Sequence, residues 1–186
     1  MQPAGPETPL SDTLDSRQKW LLLGSLMTCL FVGALDQTVV STATPKILAD
    51  LGGFAMISWL FTSYMLSSTV VIPLVGKLGD IYGRKFFLIG GVGIFMVSSA
   101  ACGASTMLIW MRVIQGFGGG MIFASVFATM GDLFAPAERG KYVGLFTGMF
   151  SLASLLGPTV GGTLTDHLSW RWVFFVNVPV GLIAMP

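Results

Sequence analysis

The stretch that organises this sequence is Gly76-Lys-Leu-Gly-Asp-Ile-Tyr-Gly-Arg-Lys85, a short charged segment between two long apolar runs. Residues 51–76 and residues 86–111 contain no charged side chain. A chain that crosses a bilayer, turns at its surface and crosses back has this pattern, because the charges keep the turn in water. The glycines of the segment would let the backbone turn at little steric cost. We therefore expect two membrane spans joined by a tight turn at residues 76–85.

The composition is typical of an integral membrane protein. Of the 186 residues, 53% are hydrophobic and 10% are charged, whereas about a quarter of the residues in a soluble domain are charged. The mean hydropathy is +0.78. A net charge of +1 gives no basic excess that would favour nucleic acid. Cys29 and Cys102 lie inside apolar runs, so we expect them to pack between helices, and we predict no disulfide, metal site or cofactor.

Six apolar segments follow a polar leader. Residues 1–18 hold three prolines, three acids and no apolar run, which predicts a disordered leader. Crossing a bilayer core of roughly 30 Å takes about 20 helical residues. The sequence thus predicts an all-α membrane bundle at residues 19–186, with a short turn at 103–106 and a polar loop at 131–140. The spans are expected at about 20–41, 57–75, 86–104, 107–130, 141–164 and 173–186.

The last of these segments is too short to cross the bilayer as a helix. We interpret it as an incomplete span, and the chain as the front part of a longer protein. Orientation is predicted from the bias of lysine and arginine toward the cytoplasm. In this topology the side that holds the N-terminus carries Arg17, Lys19, Lys77, Arg84, Lys85, Arg139 and Lys141, and the opposite side carries Lys46 and Arg171. The N-terminus and the 76–85 turn are therefore expected in the cytoplasm.

Two charged residues fall inside predicted spans. Asp36 lies in the first span and Arg112 in the fourth. A carboxylate at membrane depth usually marks a proton or ion path, so Asp36 is a candidate functional acid. The alternative is that Asp36 stays hydrated near the outer headgroups. Arg112 is expected to face the protein interior, since small residues follow it at four-residue steps; the alternative is an arginine that snorkels to the surface.

Two further patterns have both a functional and a structural interpretation. Asp80 and Arg84 are four residues apart, which permits an ion pair in a helical turn. Such a pair is worth under about 1 kcal/mol when exposed, so a conformational latch is the sharper hypothesis and a solvated topology signal the alternative. In the fifth span, Pro158 leaves a carbonyl without its helical partner and predicts a kink. Its neighbouring glycines are also common where membrane helices simply pack.

Taken together, these segments resemble the major facilitator superfamily. The 76–85 stretch is similar to the loop between spans two and three of that family. Leu108-Ile-Trp-Met-Arg-Val-Ile-Gln-Gly-Phe-Gly118 resembles its fourth-span motif, and Gly157-Pro-Thr-Val-Gly-Gly162 its fifth-span antiporter motif. Leu35-Asp-Gln-Thr-Val-Val40 and Ser169-Trp-Arg-Trp-Val-Phe-Phe-Val-Asn-Val-Pro-Val-Gly181 resemble the fourteen-span drug:proton antiporter branch, especially fungal efflux pumps for toxins and secondary metabolites.

The resemblance implies a fold and a function. The chain would form the N-terminal six-helix bundle of a transporter that exports small organic compounds, such as drugs, toxins or secondary metabolites, in exchange for protons. It would lie in the plasma membrane and work with a second bundle by alternating access. Asp36 and Arg112 would be the proton-coupling residues. The gating loop would comprise Gly76, Gly79, Asp80, Gly83, Arg84 and Lys85, and the fifth-span motif Gly157, Pro158, Gly161 and Gly162.

Two other classes of function are alternatives to a transporter. One is a truncated, transport-inactive remnant of such a pump, or a membrane scaffold derived from it. The other is an intramembrane enzyme, which we do not predict. A membrane serine protease needs a histidine close to its nucleophile, and membrane haem or metal enzymes usually need paired histidines. The only histidine of the sequence, His167, lies in a predicted outer loop.

Overall fold

The computed structural model describes residues 15–52, 54–104 and 107–184, and within these ranges the chain forms helices and no strand. The helices are α1 (Ser16–Leu51), α2 (Phe54–Tyr82), α3 (Arg84–Ala104), α4 (Leu108–Leu133), α5 (Pro136–His167), α6 (Trp172–Phe175) and α7 (Asn177–Ala184). Most of the predicted leader and part of the 103–106 turn lie outside the described residues. Residues 16–18 of that leader belong to α1, where Asp15 caps the first turn and accepts a hydrogen bond from the Ser16 N–H.

Five of the described helices, α1 to α5, are long and apolar enough to cross a membrane. The shortest, α3, has 21 residues, and about 20 suffice for a typical bilayer. The sixth apolar segment folds as α6 followed by α7, which together cover Trp172–Ala184 and are shorter than a span within the described part of the chain. The prediction of an all-α, multi-pass membrane protein is confirmed.

The predicted loop at residues 76–85 was wrong in its extent. Helix α2 continues to Tyr82, and α3 begins at Arg84, so nearly all of the segment is helical. Gly83 alone makes the turn, with a φ of 95°, a backbone conformation that side chains with a Cβ rarely adopt. Gly76 and Gly79 lie within α2 and do not bend the chain by a positive φ.

The predicted polar loop at 131–140 was also too long. Helix α4 extends to Leu133 and α5 starts at Pro136, so the connection is two residues. Arg139 of this segment bonds to carbonyls at the end of α4. It donates from Nη2 to the Gly131 carbonyl at 2.6 Å and from Nε to the Phe134 carbonyl at 3.0 Å. These bonds satisfy carbonyls that the C-terminus of a helix leaves without an intrahelical partner.

Helix α4 packs between α2 and α3, and its glycines make the close approach possible. A Cβ atom at Gly120 would lie 2.6 Å from the Ser68 carbonyl oxygen of α2, and one at Gly118 would lie 2.6 Å from the Phe95 nitrogen of α3. Real Cβ atoms essentially never come this near to backbone atoms. The small residues that follow Arg112 therefore bring two neighbouring backbones against α4, as small residues commonly do between membrane helices.

Helix α1 packs mainly against α5 and, through its middle, against α7. Near their ends, Lys46 of α1 forms an ion pair with Asp166 of α5 at 2.8 Å. The Trp170 indole nitrogen also donates to Asp50 at 2.7 Å. Two large apolar clusters share α1: one includes Val32 and residues before it, and the other includes Ala34 and residues after it. Asp36 lies along α1 among the residues of the second cluster and is completely buried.

Candidate functional site

The site begins with Asp36, which lies near the middle of α1 and is completely buried. An ionised carboxylate out of water is very costly unless other groups compensate its charge and fill its hydrogen-bonding capacity. Helices α3, α4 and α7 supply side chains that contact Asp36 or its partners, and α2 contacts the arginine that compensates its charge. We call Asp36, Ser99, Arg112, Gln115 and Asn177 the Asp36 site, and each of these side chains is buried.

Arg112 provides the opposite charge. Its Nη1 lies 2.6 Å from Asp36 Oδ2, and both side chains are 0% exposed. On the side of α2, Nε donates to the Leu60 carbonyl at 3.3 Å and the Tyr64 ring lies 4.5 Å from the guanidinium carbon, whereas Nη2 has no hydrogen-bond partner among the described residues. Arg112 therefore points into the bundle and does not snorkel. A cation over an aromatic face is an attractive contact that grows when water is excluded.

Two amides complete the carboxylate's partners. Gln115 Nε2 donates to Asp36 Oδ1 at 2.9 Å, and Asn177 Nδ2 donates to the same oxygen at 2.7 Å. Gln115 also accepts from Arg112 Nη1 at 3.0 Å through its Oε1, which fixes the direction of its amide. The carboxylate is thus held by three donors, one of them charged.

Sequence reasoning gave no role to three members of this site. Gln115 follows Arg112 by three residues, which places both on one face of α4, so the helical period was a usable signal. Ser99 and Asn177 carried no such signal. Asn177 comes 141 residues after Asp36, and only the packing of α7 against α1 and α3 brings the two side chains together.

A cavity of about 290 Å³ adjoins the site. Its walls come from α1, α2, α4 and α5 and are mainly apolar. Tyr64 and Gln37 are among the lining residues, and Tyr64 is also the ring against which Arg112 rests. The lining further includes Cys29, Leu30, Gly33, Ala34, Met65, Ser68, Ile72, Gly119, Gly120, Ile122, Phe123 and Phe150. A cavity with apolar walls and few polar groups is the usual form of a site for a small organic molecule.

A second cluster of charges surrounds Arg84, at the start of α3. Its Nη2 lies 2.7 Å from Asp80 Oδ1, and its Nη1 lies 2.5 Å from Asp132 Oδ2. Nη1 also donates to the Ala128 carbonyl. The sequence predicts a loop at Asp132 and does not indicate that α4 extends far enough to bring it to Arg84. We call Asp80, Arg84 and Asp132 the Arg84 cluster; it joins the ends of α2, α3 and α4.

The other residues of the predicted gating loop make fewer contacts. Gly79 is buried, and a Cβ there would lie 3.5 Å from Arg84 Cγ. A Cβ at Gly76 would meet nothing within 4 Å, and Lys85 is exposed. The structure therefore assembles Asp80, Arg84 and Gly79 into one unit, while Gly83 makes the turn.

The fifth-span motif divides into two pairs. Gly157 and Gly161 are buried against α1, where a Cβ at Gly161 would lie 3.0 Å from the Val39 carbonyl oxygen and one at Gly157 would overlap the Thr38 side chain. Pro158 is exposed, and a Cβ at Gly162 would meet nothing within 4 Å. Thr38 adds a hydrogen bond of 3.1 Å to the Ala153 carbonyl. The buried glycines thus set the distance between α5 and the helix that carries Asp36.

Several known proteins are similar to this chain in sequence. The chain is 45% identical over 171 residues to the multidrug transporter protein MdtP of Bacillus subtilis, an alignment that covers 90% of this chain and 32% of the relative. It is 44% identical over 180 residues to multidrug resistance protein 3 of the same organism, which covers 94% of this chain and 35% of that protein. It is 33% identical over 192 residues to the efflux pump FUS6 of Gibberella moniliformis, covering 99% of this chain and 34% of the pump.

The chain thus spans about a third of the length of these relatives. The family model of the Major Facilitator Superfamily matches residues 26–186, which include all five long helices in part or whole. The match agrees with the order of motifs and with the helical bundle described above. The chain belongs to the Major Facilitator Superfamily.

Proposed function

We propose that the protein carrying this chain is a proton-coupled efflux transporter that exchanges small organic compounds for protons, with Asp36 as the proton-binding group. The buried Asp36–Arg112 ion pair is the observation that carries this proposal. A structural ion pair contributes little net stability at such depth, because the cost of desolvating two charges offsets their attraction. Functional use of the carboxylate explains its presence better, since ionisable groups inside membranes commonly mark proton paths.

Protonation would act through the loss of one charge. The neutral acid would no longer balance the Arg112 guanidinium, which stays charged at any physiological pH. Arg112 rests on the Tyr64 ring, and that ring is also a wall of the apolar cavity. If Arg112 moves when it loses its partner, the Tyr64 ring can move with it and change the shape of the cavity wall. This contact offers a direct physical link between proton binding and the binding of an organic compound.

The names of the relatives support efflux as the direction of transport. Two are called multidrug proteins and one an efflux pump. The cavity's apolar lining fits a small organic compound better than a sugar or an ion, which would need a polar lining. Membership of a transporter family also favours transport over catalysis. In this proposal the Arg84 cluster and Lys85 gate the cytoplasmic side, and a further bundle supplies the rest of the transport path.

Asp36→Asn in the full-length protein tests the proposal. The amide keeps the size and most hydrogen bonds of the side chain but cannot bind and release a proton. In proteoliposomes with an imposed pH gradient, the variant is expected to lose pH-driven uptake of ethidium and rhodamine 6G by at least about tenfold, the change that corresponds to 1.4 kcal/mol. Glu138→Gln is the matched control, since Glu138 is an exposed acid. Undiminished pH-driven transport by Asp36→Asn would contradict the proposal.

A remnant without transport activity, the alternative that the sequence left open, makes the opposite prediction. The full-length protein would then bind dyes at most and would show no difference between liposomes with and without a pH gradient. The same assay therefore separates the two functions. Proton release, followed with an external pH indicator during dye exchange, gives a second readout that does not depend on which dye is the better substrate.

A further inference from the structure

The Asp36 site contains a hydrogen-bond acceptor that nothing in the described structure uses. Asn177 Oδ1 is buried and accepts no hydrogen bond from the described residues. A buried polar atom without a partner costs free energy, so each such atom in a native fold calls for an explanation. This atom belongs to the same planar amide whose nitrogen donates to Asp36 Oδ1 at 2.7 Å. The unused acceptor and the candidate proton-binding oxygen are therefore close neighbours.

We propose that Asn177 is a positioning residue whose side-chain amide rotates when Asp36 becomes protonated. The inference rests on the proposed function in one respect, namely that Asp36 binds a proton. With Asp36 ionised, Asn177 Nδ2 donates to Oδ1; with Asp36 protonated, Asn177 Oδ1 accepts from the new O–H. A proton from solution adds to the carboxylate and no other covalent bond changes.

The geometry decides which oxygen of Asp36 takes the proton. Oδ2 faces the Arg112 guanidinium at 2.6 Å, and a guanidinium is only a donor. Oδ1 faces the two amide nitrogens of Gln115 and Asn177. A protonated Oδ1 can still accept one hydrogen bond but must also find an acceptor for its own hydrogen. One of the two amides therefore has to present its oxygen.

Gln115 is not free to do so. Its Oε1 already accepts from Arg112 Nη1 at 3.0 Å and lies 3.7 Å from Cys102 Sγ, so rotation of that amide would place a donor against a cation. Asn177 has no such constraint, because its oxygen is unused. Half a turn about its last side-chain bond exchanges nitrogen and oxygen in nearly the same space. An asparagine is suited to this exchange because one planar group holds both a donor and an acceptor.

Ser99 is the partner that allows both orientations. Its hydroxyl accepts from Asn177 Nδ2 at 3.0 Å and donates to the Phe174 carbonyl at 2.8 Å. A hydroxyl can rotate, so after the amide turns Ser99 can donate to Asn177 Oδ1 instead. Because Ser99 lies on α3 and Asn177 begins α7, protonation on α1 changes the contacts among three helices. The site thereby connects proton binding to the position of α7.

The other groups around Asp36 do not offer the same role. The charged or titratable side chains that surround it are Arg112 on α4, Tyr64 on α2 and Cys102 on α3. The facing stretch of α5, residues 149–164, and the segment 172–184 contain no titratable residue. Arg112 donates only, and Tyr64 lies against the guanidinium rather than against Oδ1. Of these neighbours, Asn177 is therefore the one that can exchange its amide nitrogen for its amide oxygen next to Asp36 Oδ1.

Infrared difference spectroscopy between acidic and alkaline pH tests the inference on the full-length protein in lipid. A carboxylic acid whose O–H donates a hydrogen bond absorbs at a lower carbonyl frequency than one that donates none. Wild type is expected to show an acid band that Asp36→Asn removes, and Asn177→Leu is expected to move that band to higher frequency. Ser125→Ala, which also removes a buried polar group of the bundle, is the matched control and should leave the band in place.

The outcomes separate this inference from the proposed function. A wild-type spectrum without an Asp36 band would overturn both, since Asp36 then binds no proton in this range. A band that stays at the same frequency in Asn177→Leu overturns the role of Asn177 alone and leaves the proton-binding role of Asp36 standing. A shift in Asn177→Leu together with an unmoved band in Ser125→Ala supports the inference.

A second measurement covers the case in which Asn177→Leu does not fold. Full-length wild-type protein with carbon-13 in its asparagine side-chain carbonyls shows asparagine amides directly, and Asn177 is the single asparagine of these 186 residues. Acidification is expected to shift a labelled amide band, and Asp36→Ala is expected to remove that pH response. Labelled amide bands that do not respond to pH in wild type would overturn the inference without any substitution at position 177.

Discussion

Asp36 and Arg112 show how two residues that would each be unfavourable alone become acceptable together. Each is 0% exposed, and each provides the other with an opposite charge at 2.6 Å. The pair is further held by Gln115, Asn177 and the Tyr64 ring. The physical consequence is that neither member of the pair can be removed without leaving the other charge buried.

This reasoning predicts a particular pattern of stability. Arg112→Leu alone is expected to lower the free energy of unfolding by about 3–5 kcal/mol, because it leaves a buried carboxylate without its cation. The double variant Asp36→Leu, Arg112→Leu is expected to recover most of that loss, since a buried pair can often be replaced by apolar residues at little cost. Unfolding of the full-length protein by sodium dodecyl sulfate at alkaline pH gives the measurement.

The exposed pair of Lys46 and Asp166 is the control for this cycle. Its side chains are 48% and 69% exposed, and exposed pairs contribute under about 1 kcal/mol. Lys46→Leu should therefore change stability far less than Arg112→Leu does. If the double variant were as unstable as Arg112→Leu alone, the two buried side chains would not compensate each other.

At the scale of helices, glycine decides how closely α5 approaches α1. Gly157 and Gly161 are buried against Thr38 and Val39, whereas a Cβ at Gly148 of the same helix would meet nothing within 4 Å. The three glycines are alike in sequence terms, because all lie in one apolar helix. Only the position of α1 distinguishes Gly157 and Gly161, which lie against it, from Gly148, which does not.

Alanine substitution on α5 is expected to show this difference. Gly157→Ala is expected to destabilise the full-length protein by about 1–3 kcal/mol, the usual cost of inserting an extra group into a filled contact. Gly148→Ala should be neutral or slightly stabilising, since alanine favours the helix more than glycine does. Thermal unfolding in detergent compares the two. Equal effects of both changes would mean that α5 does not rely on the Gly157 contact.

The Arg84 cluster is a second contact between helices. Arg84 joins α3 to Asp80 of α2 and to Asp132 of α4, with the shorter distance to Asp132. If the cluster gates transport, Arg84→Ala and Asp132→Asn should each slow pH-driven dye transport severalfold while membrane insertion stays normal. The double variant should be no slower than Arg84→Ala, because both changes remove one interaction.

Lys141→Ala is the control for the Arg84 cluster, since Lys141 is an exposed cation outside it. Its transport rate in the same proteoliposome assay should match that of the wild type. Normal transport rates for Arg84→Ala would reduce the cluster to a structural contact and a topology signal. Additive effects of Arg84→Ala and Asp132→Asn would show that the two side chains act separately.

At the scale of the whole molecule, the distribution of lysine and arginine predicts a cytoplasmic N-terminus. Lys141 and His167 lie near opposite ends of α5 and both are exposed. In the full-length protein in intact cells, a membrane-impermeant maleimide is expected to label His167→Cys. It should label Lys141→Cys only after the membrane is permeabilised. Cys29 and Cys102 are buried and add no exposed thiol within the described residues, so labelling of the wild type is measured as the background. The reverse pattern of labelling would contradict the predicted orientation.

The sequence by itself determined the membrane environment, the helical class, the family and the identity of the two charged residues at membrane depth. These follow from local properties: long apolar runs, the shortage of charge and short motifs with fixed spacing. It placed helix ends less well, because α2 and α4 continue through polar residues that read as loops. Where a helix ends depends on which groups bond to its last carbonyls. Arg139, for example, donates a hydrogen bond to the Gly131 carbonyl near the end of α4.

Only the tertiary structure decided which residues share a site. Asp36 meets Arg112, Ser99 and Asn177 because α1, α3, α4 and α7 pack around one point, and no local pattern records that meeting. Asp132 joins Arg84 for the same reason. A hydrogen bond or an ion pair forms over about 3 Å, so it is decided by the packing of whole helices and not by distance along the chain. The apolar pattern creates the helices, and the close contacts between them create the site.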